Sequence, residues 1–159
     1  MLNPASKGEP YVVASTSGVK TRKGPGTGHT QLGALGLGSV VSITKISPDG
    51  EWGYAASAQL GDGSWGTTSG VWINLEPCVK GTPTKWVVTT SSGLNLRANA
   101  DVGSTRQAVL PKDTSLTVTT IEKKGDYTWG FVAYAYSKER NEYWMSEGWV
   151  ALDYCKQLG

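Results

Sequence analysis

Apolar and polar positions alternate along this chain in short runs separated by turn residues. Tyr11-Val12-Val13 opens one apolar run and Trp86-Val87-Val88 another. Val41 and Ile43 alternate with polar neighbours, as do Leu116 and Val118. A period of two lines such residues along one face of a strand. In both stretches the phase then slips, so that the next apolar residue is Ile46 or Ile121. A shared slip predicts a β-bulge at the same place twice, in a curved sheet. Turn signals divide the runs: Ser47-Pro48-Asp49-Gly50, Gly61-Asp62-Gly63 and Lys124-Gly125-Asp126. No segment carries a convincing helical period. The pattern predicts an all-β protein with negligible helix.

The pattern also occurs twice. With a shift of 75 positions, Tyr11 through Ile46 overlies Trp86 through Ile121, and ten of the 36 pairs are identical. They include Ser17 with Ser92, Gly18 with Gly93, and Arg22 with Arg97. After a two-residue insertion the shift becomes 77, and Trp52-Gly53 overlies Trp129-Gly130, Trp72 overlies Trp149, and Cys78 overlies Cys155. A single change of length, placed in a turn, is what a duplication leaves behind, because loops tolerate insertion. The organisation expected is a linker or disordered start over 1–10, a first unit over 11–78, a linker over 79–85 and a second unit over 86–155. Each unit is a run of short strands, which favours a small barrel that hides its edges by closing.

Composition narrows the chemistry. The chain has 21 glycines and seven each of Trp and Tyr, while charged residues make up only 18%. That is turn-rich and aromatic, and it argues against disorder. The net charge of +2 comes with no basic stripe, so a nucleic-acid partner is not expected. No apolar run reaches the ~18 residues that span a bilayer, so membrane insertion is not expected either. Met1-Leu2-Asn3-Pro4 runs into polar residues without a secretory signal.

Enzyme chemistry finds no equipment in the pattern. A cysteine peptidase needs a Cys with a His partner. Cys78 and Cys155 close the two repeats at matching places, whereas His29 occurs once. Duplicated cysteines with an unduplicated histidine read as packing, and the two thiols are expected to be free. A glycosidase needs two carboxylates in one cleft, and Glu51, Asp62, Glu139, Glu142 and Glu147 are scattered over turns. Zinc needs three or four ligands, and no such cluster is present. No cofactor or metal is expected, and the expectation is a binding module rather than an enzyme.

Leu94-Asn95-Leu96-Arg97 and the closing Gly148-Trp149-Val150 resemble the signature of the bacterial SH3 (SH3b) family. The first copy keeps the Arg and the Gly-Pro turn, in Arg22-Lys23-Gly24-Pro25, but lacks the Asn. The second keeps the Asn but has Asn99-Ala100-Asp101 where Gly-Pro is usual. The resemblance runs from Tyr11 to Cys155. It implies two tandem SH3-like barrels that target bacterial peptidoglycan at the cell wall or extracellular face. It further implies the C-terminal part of a phage endolysin or autolysin, with a catalytic domain on its N-terminal side. The rival reading is an interaction or assembly module that binds a peptide or self-associates.

Candidate binding residues come from the repeat and from one departure. Arg22 and Arg97 match, and each offers a planar donor fork for a carboxylate or amide, or else a brace for its own loop. Asn95 sets a turn or meets a ligand. Trp52 with Tyr54, and Trp129 with Phe131, share strand faces and read as core. The stretch between Trp129 and Trp149 is longer than usual in the family and carries Tyr134, Tyr136, Tyr143 and Trp144; the equivalent stretch of the first copy carries Trp65. Exposed aromatics suit sugar faces and peptide backbones. The expectation is an aromatic wall in the second copy standing beside the loop of Arg97.

Overall fold

The computed structural model describes residues 8–59, 70–145 and 147–158. The chain divides into two compact units, Met1–Thr82 and Pro83–Gly159. Both are all-β, and the only helix among the described residues is one 3₁₀ turn, Leu152–Tyr154.

The first unit is a single sheet. Its strands are β1 (Glu9–Val13), β2 (Val19–Arg22), β3 (Gln31–Leu35), β4 (Val40–Ile46), β5 (Trp52–Gln59), β6 (Val71–Asn74) and β7 (Cys78–Lys80). They pair antiparallel in the order β3-β2-β6-β5-β4-β1-β7. The second unit has β8 (Thr84–Val88), β9 (Leu94–Arg97), β10 (Arg106–Leu110), β11 (Ser115–Lys124), β12 (Tyr127–Ser137), β13 (Glu142–Trp144), β14 (Gly148–Ala151) and β15 (Cys155–Gln157). Its order, β10-β9-β14-β12-β11-β8-β15, is the first order strand for strand, with β13 added beside β12. The duplication read in the sequence is therefore a duplication of topology.

Each sheet is an open path rather than a ring: no pairing among the described residues joins β3 to β7 or β10 to β15. The hydrogen-bonded closure expected of a barrel is not found among the described residues. The edges are managed by other means. β7 and β15 are three residues long, β7 ends on Lys80 and β15 carries Lys156, while β10 opens on Arg106. Short or charged edges resist pairing with another chain without closing; the remaining edge, β3, carries no charge.

The shared slip of phase is a shared irregularity. Register shifts fall between Ser42 and Ile43 and between Ile43 and Lys45 in the first unit, and between Thr117 and Val118 and between Val118 and Thr120 in the second. Ile46 and Ile121, the next apolar residues after the slip, are 50% and 49% exposed.

The core of the first unit gathers Val13, Val41, Ile43 and Ile73, and that of the second Leu96, Leu116, Val118 and Val150. The Trp-Gly pairs have a packing reason. A Cβ on Gly53 would lie 2.8 Å from Leu75, and one on Gly130 would lie 2.9 Å from Leu152. The closing leucine of each unit occupies the space a side chain would need.

The expected linkers are shorter than their sequence suggests. Glu9 and Pro10 already pair with Ile43 and Ser42, and β7 pairs with β1. β8 begins at Thr84, leaving 81–83 between strands. Strand ends extend a backbone ladder without apolar side chains to announce them.

Candidate functional site

The same groove occurs in both units. Each is lined by eleven residues, and ten of the eleven fall at equivalent repeat positions, by the shift of 75 before the insertion and 77 after it. The volumes are about 650 Å³ in the first unit and about 310 Å³ in the second. Both lie in the range of ordinary ligand sites.

The first wall is a tight turn. Gly18 N–H donates to Ser15 O at 2.9 Å, and Gly93 N–H donates to Thr90 O at 3.2 Å. Both glycines adopt positive φ, +71° and +86°. A Cβ on Gly18 would meet the Leu35 carbonyl oxygen at 2.4 Å, and one on Gly93 would meet the Val109 side chain at 2.8 Å. The turn presents Ser17 or Ser92 to the groove.

The second wall is the loop after β2 or β9, held by the repeated arginine. Arg22 Nη1 donates to His29 O at 2.9 Å, and Arg97 Nη1 donates to Ser104 O at 2.9 Å. The two acceptors are themselves equivalent. The loop backbones also match: Lys23 N–H donates to Thr30 O and Ala98 N–H to Thr105 O, while Gly26 N–H donates to Gly24 O and Asp101 N–H to Asn99 O. Gly24-Pro25-Gly26 and Asn99-Ala100-Asp101 thus fold alike. In the second loop side chains help. Asp101 Oδ1 accepts from Gly103 N–H at 2.9 Å, and Ser104 Oγ accepts from Asn99 N–H at 2.8 Å. The arginines brace these loops through Nη1, line the grooves, and each carries further guanidinium donors.

The floor is Trp52 or Trp129, both buried. Beside it, Tyr54 meets Trp72 edge to face at 5.3 Å, as Phe131 meets Trp149 at 5.2 Å. In the second unit the aromatic surface continues. Tyr127 lies 6.0 Å from Trp129 and 6.2 Å from Tyr154, and hydrogen bonding to Tyr154 raises the pKa of the Tyr127 phenol.

The expected site residues fall into separate places. Asn95 and Arg97 line the second groove and Arg22 the first. Trp65 lies outside the described residues. Tyr136 and Tyr143 are a cross-strand pair with rings 4.6 Å apart, and Tyr136 Oη donates to Asn141 Oδ1 at 3.2 Å. Tyr134 is only 7% exposed and lies under Lys85, whose Nζ is 5.1 Å from the ring centroid. Trp144 pairs with Ala135 and packs half-buried against the core cluster. No hydrogen bond or ring contact among the described residues joins this hairpin to Asn95 or Arg97. The expected single wall divides because paired residues share a face: Tyr136 carries Tyr143 to one face, and Ala135 carries Trp144 to the core.

Sequence reasoning passed over most of the groove. Trp52 and Trp129 read as core because each shares a strand face with the aromatic two residues on; they are buried, yet they also line the groove. Lys20, Glu76, Val102 and Tyr154 carried no motif. The signal that reaches the groove is the identity between copies at Ser17, Gly18, Arg22 and Trp52, which all line it.

The cysteines are free. Cys78 Sγ donates to Asn74 O at 3.7 Å and Cys155 Sγ to Ala151 O at 4.0 Å, again at equivalent positions. Burial pushes both thiols up to about 12, with Asp153 adding to the effect at Cys155. A thiol so placed is almost entirely protonated at neutral pH. His29 is exposed and its ring lies over Gly24. No group of three or more His, Cys, Asp or Glu among the described residues could hold a metal ion.

No protein-family model and no curated protein matches this chain. Among solved structures, it aligns with NlpC2 from Trichomonas vaginalis at 12% identity and a TM-score of 0.33, over 95% of this chain and 48% of that one. The chain therefore spans about half the length of that structure.

Proposed function

We propose that the chain is a non-catalytic cell-wall-targeting module, two SH3b-like units that bind bacterial peptidoglycan and belong to the C-terminal side of a lytic enzyme. The observation that carries this reading is the groove repeated at ten equivalent positions. A polymer with a repeating chemical unit is a ligand on which two related sites both find purchase, and two weak sites on one chain gain by effective concentration. The SH3b signature residues Asn95, Arg97 and Arg22 line these grooves, which supports the same reading. The protonated thiols support a binding role over nucleophilic catalysis.

The test is sedimentation of the protein with purified bacterial walls, with cellulose as the control polymer. Saturable binding to walls, displaced by soluble wall fragments, is the expected result. Equal retention by cellulose would refute the proposal, and self-association in sedimentation velocity would then favour the assembly reading. Loss of turbidity in a cell suspension would refute the non-catalytic part alone.

A further inference from the structure

The two grooves share ten lining positions, four of them identical and two conservatively replaced (Ser15 by Thr90, Val19 by Leu94), but the other four differ in chemistry. Lys20 in the first becomes Asn95 in the second, and Thr27 becomes Val102. Pro77 becomes Tyr154, while Tyr127 joins the second groove where the first has no counterpart in its lining. Glu76 lines the first groove. Its equivalent, Asp153, does not line the second, because its Oδ1 accepts from Thr128 N–H at 2.9 Å.

The first groove therefore presents an ammonium and a carboxylate as well as the guanidinium of Arg22. Neither Lys20 nor Glu76 is ion-paired with any described residue, including each other. Both charges remain free for a ligand. The second groove presents one charge, Arg97, and a run of three rings, Tyr127, Trp129 and Tyr154. Tyr154 is 43% exposed and Val102 58% exposed at its rim. Aromatic rings beside a neutral amide offer dispersion contact to a ring's C–H face and hydrogen bonds to its substituents.

We infer that the grooves have diverged in specificity: the first takes a short peptide bearing both a free amine and a free carboxylate, and the second takes the face of an uncharged sugar ring. This rests on the wall-binding reading, since a peptidoglycan contains both chemistries on one polymer. Lys20 and Arg22 receive the carboxylate, and Glu76 receives the amine. Asn95 and Arg97 hydrogen-bond the sugar's substituents while Tyr154 and Tyr127 cover its face.

The experiment uses the full chain and two soluble probes, the tripeptide Ala-Glu-Lys and chitotriose, followed through the indole N–H signals of Trp52 and Trp129 by NMR. The peptide should move the Trp52 signal and the sugar the Trp129 signal. Lys20→Asn, which installs the second groove's residue, should weaken the peptide about tenfold and leave the sugar within about twofold. Tyr154→Ala should do the reverse; the Tyr154 backbone carbonyl, which accepts from Thr89, is kept in that variant. Added salt should weaken the peptide and spare the sugar. Both probes on one indole, a variant that weakens both alike, or no binding of either probe would overturn the inference. Wall sedimentation of the parent separates the two failures. Walls bound without partition of the probes defeats the divergence alone, whereas partition without wall binding defeats the peptidoglycan reading and leaves two distinct sites standing.

Discussion

Single positions in this protein are fixed by two kinds of necessity, backbone shape and burial. Gly18 and Gly93 both adopt a left-handed backbone, which costs a residue with a Cβ about 1–2 kcal/mol. Their surroundings differ. At Gly18 the added carbon meets a backbone carbonyl at 2.4 Å, which cannot move without moving β3. At Gly93 the nearest atom is a methyl of Val109, with the carbonyl at 3.1 Å, and a side chain can turn aside. Gly18→Ala should therefore lower stability by more than Gly93→Ala, each by at least about 1 kcal/mol, measured by denaturant unfolding. The cysteines make a pH prediction. Burial raises each thiol from its ordinary 9.0 to about 12 in the folded protein, so folding favours the protonated form. That contribution is fully present below about pH 9 and is lost as pH rises towards 12. Stability should fall over this alkaline window, and less steeply in Cys78→Ala. The thiols should also react slowly with a disulfide reagent at neutral pH in the folded state and rapidly in urea; fast reaction when folded would contradict the burial.

At the scale of elements, strand parity decides which aromatics are structural. Trp144 faces the core with Ala135, whereas Tyr143 faces away with Tyr136. Trp144→Ala should cost about 2–3 kcal/mol, somewhat less than a fully buried tryptophan. Tyr143→Ala should cost no more than about 1 kcal/mol, the scale of one aromatic pair. Equal costs in thermal melts would mean the two side chains share one environment. The same parity explains what was legible. Alternation in Val41-Ser42-Ile43 and Leu116-Thr117-Val118 is visible without coordinates, and so is the slip that marks the bulge. The orientation of residues past a bulge is hidden, because one extra residue exchanges the faces of everything beyond it. Ile46 and Ile121, apolar and just past the irregularity, are half exposed, and Tyr134 looked available and lies under Lys85. The groove was legible only in part, as identity between copies and as the candidates Arg22, Asn95 and Arg97. Its lining comes from a turn, a loop, a strand and the chain's closing segment, which no local period connects.

For the whole molecule, duplication was the most readable property, since two shifts separated by one insertion aligned strand order, turns and closing residues alike. Closure was the least readable, because an open sheet and a sealed barrel produce the same alternation. Duplication also sets the last prediction, the apparent affinity for walls when each groove is weakened in turn. If the two grooves hold one polymer together, the affinity contains the product of the two site constants and the effective concentration that links them. Weakening either site about tenfold then weakens wall binding about tenfold, and weakening both does so about a hundredfold. If instead the grooves act independently, the untouched one carries the protein, and either single change costs no more than about twofold. Lys20→Asn, Tyr154→Ala and the double variant, compared in wall sedimentation at several protein concentrations, distinguish the two cases. Losses that multiply are expected here. Single variants that bind walls nearly as well as the parent would show that the second site is a spare copy rather than a partner.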